Sequence, residues 1–276
     1  MDNNNNAYCD FCDSENLQHA YTPPTTKRSL KVFCCVDCGL IQSWPRLSGV
    51  YKRQTAVSGE ADWGYIRYGK QLRLDDSLKI IRKHVPLEQL NTVLDIGSNR
   101  GYLLNYLAKN FDHLNLTGVE PDKIITEESP YNENIDLFKG KIEDYNIDDE
   151  KFDFIHSSHT FEHMTSAAKG FEITYKMLKD GGYFYLELPR TEMIANPEFI
   201  AEYFIDNHLF HFTRDNLKNY INNYDYDILY EEVDDFENHV FILKKSLTNN
   251  QNVVINNPLK TYYDNNYKLV KEYSQS

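Results

Sequence analysis

The sequence predicts an α/β protein: a mostly parallel, doubly wound sheet with an antiparallel last strand, preceded by a small N-terminal zinc-binding ribbon. Three observations carry this. From residue 92 onward, short apolar runs alternate with helical patterns, as strands joined by crossover helices do. One such run, Val93-Leu94-Asp95-Ile96, leads directly into Gly97-Ser98-Asn99-Arg100-Gly101, which reads as a buried strand, a tight turn and a helix start. All five cysteines lie between residues 9 and 38, four of them in two C-x-x-C knuckles.

The ribbon occupies residues 1–45, with short strands expected near 30–34 and 39–43. Thiolates of Cys9, Cys12, Cys35 and Cys38 at this spacing can place four sulfurs tetrahedrally around Zn²⁺. Four thiolates leave no open position, so such a zinc is structural. Cys34 is left over; it could replace Cys35, but Cys35 keeps the two-residue spacing. Disulfides are the other reading, and a chain that reads as cytoplasmic, with a polar start and no signal-peptide pattern, disfavours them.

Residues 46–90 read as a linker and an N-terminal helix. Gly49, Gly59 and Gly64 mark the linker, and Ile66, Leu72, Leu78 and Ile81 give a helical spacing over 65–84 that Pro86 stops. The core spans 91–246: strand 92–96, helix 101–110, strand 115–119, helix 122–129, strands 135–138 and 152–157, helix 166–179, strand 183–188, helix 214–223, strands 227–233 and 239–245. The last two are close enough to form an antiparallel, hairpin-like edge. Residues 247–276 read as a tail, whose Asn-rich stretch 247–258 looks mobile or linking.

A formal net charge of −13 argues against a nucleic-acid partner, which would want a basic face. No apolar run approaches the roughly 20 residues of a membrane span, so no membrane partner is expected. Aromatic residues at 14% argue against general disorder.

Four motifs in order, Asp95-Ile-Gly97-Ser-Asn-Arg-Gly101, Glu120-Pro121, Phe152-Asp153-Phe154-Ile155 and Leu178-Lys179-Asp180-Gly181-Gly182, resemble class I S-adenosylmethionine-dependent methyltransferases. The resemblance implies a Rossmann-like methyltransferase fold and S-adenosyl-L-methionine as cofactor. It places Asp95, Gly97, Ser98 and Gly101 in the glycine loop at the methionine and ribose, and Glu120 with Pro121 at the ribose hydroxyls. Ile142 and Glu143 would serve the adenine; Lys141 stands where many relatives carry an Asp. Ser158 would approach the cofactor from the end of the fourth core strand. A dinucleotide-binding enzyme would more often show G-x-G-x-x-G, and Asn99 stands at the middle glycine.

Acceptor chemistry is expected from histidines. His159 and His163 follow the fourth core strand, on the side where doubly wound folds bind ligands. His159-Thr-Phe-Glu162-His163 also spells H-x-x-E-H, but in a loop of a nucleotide-type fold it does not read as a protease. Some methyltransferases that this chain resembles bind a divalent ion here through a carboxylate followed by Glu-His; His159 stands in place of that first carboxylate, so a metal is the second reading, and the plain reading of Glu162 and His163 is capping and packing. Asn207-His208-Leu-Phe-His211-Phe-Thr213 resembles a substrate-side loop of the form His-x-x-x-Phe-[Ser/Thr]. His208 is the first candidate for the base, with His211, His159 and His163 behind it. Thr213 should cap the next helix.

The glycine loop and the knuckle pair together resemble sugar C-methyltransferases that act on nucleotide-linked deoxysugars, in which the zinc module helps form the substrate side. Arg100 stands where that family often has Asp, and the long C-terminal domain usual there has no counterpart, so O-methylation is expected nearly as readily as C-methylation. The rival readings are an inactive scaffold, and a methyltransferase of protein or RNA.

Overall fold

A computed structural model describes residues 7–24, 29–46, 63–145, 151–192, 203–204, 208–235, 237–247 and 259–274. The proposed linker, and most of the 247–258 stretch, lie outside the described residues. In chain order the elements are β1 (Leu17–Tyr21), β2 (Lys31–Cys35), β3 (Ile41–Trp44), α1 (Trp63–His84), β4 (Thr92–Ile96), α2 (Tyr102–Asn110), β5 (Asn115–Val119), α3 (Lys123–Glu128), β6 (Ile135–Phe138), β7 (Phe152–Ser158), α4 (Ala167–Met177), β8 (Leu178–Pro189), β9 (Phe210–His211), α5 (Arg214–Asn223), β10 (Tyr226–Val233), β11 (Asn238–Lys245) and α6 (Leu259–Ser274).

Seven strands form the main sheet in the order β6-β5-β4-β7-β8-β11-β10. β4 through β8 are parallel, and β11 runs antiparallel to both β8 and β10. The chain winds outward from β4 to β6, then returns to the other side of β4 with β7. Ligands of doubly wound folds bind at this reversal, beyond the strands' carboxyl ends. The last two strands do pair with each other, but the later one lies inside. The reason is composition: Val240-Phe241-Ile242-Leu243 is buried on both faces, whereas β10 alternates and carries Asp227, Glu231 and Glu232, which suit an edge.

Alternation along β4 divides the core. Val93 packs with Phe154, Tyr185 and Ile242 under α1 and α2, through Leu78, Ile81, Leu103 and Leu107. Leu94 and Ile96 face the other layer, with Phe171, Met177, Phe184 and Leu217 from α4, β8 and α5. Ser166 and Thr213 cap α4 and α5, each accepting from the backbone N–H three residues on.

The N-terminal sheet has the order β1-β2-β3-β9, all antiparallel. Two of its strands escape a reading of the sequence. β1 is mostly polar and half exposed, and β9 comes from residues 210–211, far along the chain. The C-terminal segment is a helix rather than a tail. Val270 of α6 packs with Ala20, Val32, Cys34 and Ile41 of the ribbon. Its buried Asn266 donates to the Gly39 carbonyl at 2.7 Å and to Asn216 Oδ1 at 3.2 Å, joining ribbon to core. Among the described residues, no helix is long and apolar enough to cross a membrane.

Candidate active site

The glycine loop follows β4 at the reversal point. Gly97, Asn99 and Gly101 all have positive φ, at 76°, 51° and 69°. A Cβ on Gly97 would sit 2.1 Å from Thr160 Oγ1, and one on Gly101 would sit 2.6 Å from the Tyr131 ring. Both positions therefore need glycine for the turn and for close approach. The N–H groups of Gly97 and Ser98 donate to the Val119 carbonyl at 2.8 and 3.1 Å. Tyr131, unmarked in the sequence, closes on the loop: its hydroxyl donates to the Asn99 carbonyl and lies 3.0 Å from Ser98 Oγ. Burial pushes that phenol up to about 12.

Glu120 directly follows β5 and is 6% exposed. Its carboxylate accepts the backbone N–H groups of Asn99 and Asp122, each at 2.9 Å. The expected ribose acid is thus wired to the glycine loop. Asp95, the residue before Ile96 and the glycine loop, is held from the neighbouring strand. Its Oδ1 lies 2.7 Å from Nδ1 of His156 on neighbouring β7, and the His156 ring stacks on Tyr185 at 4.9 Å. Beyond Glu120, Pro121 is half-buried. Ile142 buries its side chain in a one-turn 3₁₀ helix, Ile142–Asp144, so only its backbone could meet a ligand; Glu143 beside it is half-buried. Ser158 ends β7, half-buried.

These groups fit an adenosyl cofactor by their chemistry. A carboxylate matches a vicinal diol, and Asn99 Oδ1 is buried without a hydrogen-bond partner among the described residues.

Past β7 the imidazoles gather. His159 has φ 50°, and its N–H donates to the Glu187 carbonyl at 3.0 Å. Its ring is held between two carboxylates, with Nδ1 3.5 Å from Glu162 and Nε2 3.5 Å from Glu187. Burial alone would lower its pKa; the two carboxylates outweigh that and raise it to about 9. Glu187, 1% exposed, also accepts from Tyr185 Oη at 2.8 Å and Asn238 Nδ2 at 3.3 Å. Burial would raise Glu162, yet the imidazoles of His163, His159 and His208 hold it down at about 2. His208 donates from Nδ1 to the Tyr203 carbonyl at 3.0 Å, and its ring centre lies 5.0 Å from that of His163. Burial pushes its pKa down to about 4.

The fold thus brings His159, His163 and His208 together. His211 turns the other way: it is fully buried, with Nε2 2.9 Å from Ser43 Oγ of the ribbon. Glu187, His156 and Tyr131 belong to the site without any local motif to mark them, and Glu162, read in the sequence as a capping and packing residue, joins them. Glu187 lies in an apolar strand, and only its register opposite Ser158 places it at the mouth.

The ribbon reaches the same mouth. Ser43 N–H donates to the Leu209 carbonyl at 2.8 Å, and Leu209 N–H donates to the Glu162 carbonyl at 2.7 Å. Asp10, between the first two cysteines, accepts from Arg46 at 2.7 Å, from the Ala168 N–H of α4 at 2.8 Å and from Tyr220 Oη at 3.3 Å. The sulfurs of Cys9, Cys12, Cys35 and Cys38 all lie within 4.8 Å of one another, with Cys9–Cys38 at 3.3 Å and Cys12–Cys35 at 3.6 Å. A tetrahedron of Zn–S bonds of about 2.3 Å has edges of about 3.8 Å, so this group fits a metal. Cys34 instead points to the Gly39 carbonyl, 3.6 Å away, in a separate cluster.

The strand order, the glycine loop and the acid after β5 define a class I S-adenosylmethionine-dependent methyltransferase. The chain belongs to the family described as Methyltransferase domain, whose model matches residues 68–231, more than half of its length. Solved structures share the fold. A SAM-dependent methyltransferase from Archaeoglobus fulgidus is 18% identical, with a TM-score of 0.51 over 67% of this chain and 100% of that one. A possible histamine N-methyltransferase from Thermotoga maritima is also 18% identical, with a TM-score of 0.51 over 66% and 95%. A chain from the complex of the Haloferax volcanii Trm112 methyltransferase activator with a methyltransferase is 15% identical, with a TM-score of 0.55 over 65% and 93%. No curated protein matches the chain.

Proposed function

We propose that the protein methylates a small acceptor, a sugar or nucleotide-linked sugar, at carbon or oxygen, and carries a structural zinc on Cys9, Cys12, Cys35 and Cys38. The observation that carries this reading is the continuous backbone link from ribbon strand β3 through Leu209 to Glu162, which seats His208 at the mouth of the sheet. The zinc module is then a wall of the acceptor side rather than an appendage, as the resemblance to sugar methyltransferases implies.

S-adenosylmethionine, when bound, supplies a methyl group already activated by its sulfonium. Glu120 and the 97–101 loop hold the nucleoside end, with Pro121, Ile142, Glu143 and Ser158 lining its surroundings. His159, fixed between Glu162 and Glu187, orders the loop after β7. His163 and His208 face the acceptor and assist loss of its proton, so that transfer proceeds between positioned partners. The test is a screen of nucleotide sugars with isotopically labelled cofactor, read by mass analysis of the product. Label on a sugar carbon or oxygen supports the reading; label found only on protein or RNA overturns it.

A further inference from the structure

We infer that a pocket at the carboxyl end of β8, beside the mouth, is a site for a neutral, polyhydroxylated ring: a second sugar ring of the acceptor, next to the one that is methylated. The pocket has a volume of about 360 Å³, within the range of about 300–1,000 Å³ for small-molecule sites. Its walls come from the segment after β8, the start of α5 and strands β10 and β11. It opens at the same end of the sheet as the mouth. Asn238, next in sequence to the lining residue His239, donates to Glu187 at 3.3 Å, and Glu187 holds His159.

Charge selects the class of ligand. The lining sets two guanidiniums, Arg190 and Arg214, against three carboxylates, Glu192, Glu231 and Glu232. Arg214 pairs with Glu231, and His239 Nε2 lies 3.2 Å from Glu192. An anion would face the carboxylates and a cation the guanidiniums, so the mixture disfavours both. Glu192 is fixed in place, because its Oε1 accepts the Arg214 N–H at the start of α5, at 3.2 Å. Burial would raise Glu192 and Glu231, but His239 beside the first, and Lys218 and Arg214 beside the second, hold both below the usual carboxylate range. Both therefore stay acceptors for hydroxyl protons.

Arg190 supplies the complementary donor. Its Nη2 lies 2.7 Å from Glu237, whose side chain is 52% exposed, while its Nε is buried without a hydrogen-bond partner among the described residues. A desolvated donor without an acceptor is costly, and a ligand oxygen that draws the guanidinium inward removes that cost. A hydroxyl both gives and accepts, so neighbouring hydroxyls of one ring serve the arginine and the carboxylates alike, as neither an amine nor a phosphate does. Val233, 42% exposed, and Phe241 give an apolar wall for the C–H face of a ring. That the ring belongs to the acceptor rests on the proposed function; its binding in the pocket does not.

The test is a nuclear magnetic resonance titration of the full chain, its arginines carrying labelled nitrogen, with the methyl glycosides of glucose, galactose and rhamnose. The Arg190 Nε–H signal, identified by its loss in Arg190→Lys, should shift and saturate with at least one glycoside. Glu192→Gln, which keeps volume, and Arg190→Lys, which keeps charge, should each weaken binding about tenfold or more, read on the sugar protons by saturation transfer. No shift with any glycoside, a shift only with diphosphate or spermidine, or binding unchanged in both variants overturns the site. Glycoside binding that both variants weaken, in a protein that labels no nucleotide sugar, supports the pocket and defeats the acceptor reading alone. Where a nucleotide sugar is labelled, both variants should raise its KM about tenfold with kcat unchanged, and an unchanged KM overturns the assignment of the ring to the acceptor.

Discussion

Replacing Glu120 by alanine removes a carboxylate that holds two backbone N–H groups in the fold and that, in the proposed function, grips the ribose of the cofactor; the two effects separate. In the fold, Glu120 accepts two backbone N–H groups at 2.9 Å while 6% exposed. Hydrogen bonds to a charged group contribute about 1.5–3 kcal/mol each, and water entering the vacated space recovers part of that. A stability loss of about 2–4 kcal/mol is expected in urea unfolding. On the cofactor side, loss of a charged partner to the ribose hydroxyls costs about 1–3 kcal/mol. At 1.4 kcal/mol per tenfold, affinity should fall about 5- to 150-fold. Glu120→Gln sharpens the comparison, since its amide oxygen can accept only one of the two N–H groups well and its NH₂ faces the other. It should lose roughly half the stability and most of the affinity, because it carries no charge. Equilibrium dialysis with labelled cofactor measures the affinities at a temperature where each variant remains folded. A folded Glu120→Ala variant with unchanged affinity would refute the ribose assignment.

Four further outcomes follow from the same geometry. Cys35→Ser should release the ribbon metal and lower the melting temperature, whereas Cys34→Ser should keep the metal, as elemental analysis will show. Asp10→Ala strands the buried Arg46 guanidinium, both side chains being 4% exposed, and should cost about 3–5 kcal/mol in denaturant unfolding; a loss below about 1 kcal/mol would mean that solvent reaches the pair. Gly97→Ala meets both a left-handed φ and the Thr160 hydroxyl, so it should destabilise by about 1–2 kcal/mol or more. Adding Thr160→Ala should recover only the steric share. His208→Ala should lower turnover by about 10²-fold or more with cofactor affinity unchanged in dialysis, and loss of cofactor binding would move His208 out of the acceptor side.

What the sequence discloses follows from the range of the interactions involved. β5, β6 and α5 fall on the expected residues, because strands and helices of the core leave local apolar periods and Thr213 marks its helix start. The cysteine knuckles are equally local: their spacing favours Cys35 over Cys34, and the fold sets Cys34 apart by turning it to the Gly39 carbonyl. The order of β10 and β11 depends on which of two strands can be buried on both faces, and their compositions settle it only when both compete for one position. β9, α6 and the Ser43–Leu209 bond depend on segments more than a hundred residues apart, and the Leu209–Glu162 bond also joins segments from different parts of the chain, which no local pattern reports. His211 shows the same limit: its neighbours suggest a substrate loop, but pairing of β9 with β3 turns it into the ribbon. Glu162 and Glu187 read as ordinary acids until β7 and β8 set them around His159.

The measurement that bears most directly on the account is calorimetric titration of the intact chain with S-adenosylmethionine. The account predicts saturable binding of one cofactor per chain at sub-millimolar concentration, weakened in Glu120→Ala and preserved in His208→Ala. Absence of any binding heat at millimolar cofactor, confirmed by dialysis with labelled cofactor, would contradict it and leave the sheet as a scaffold without methyl-transfer chemistry.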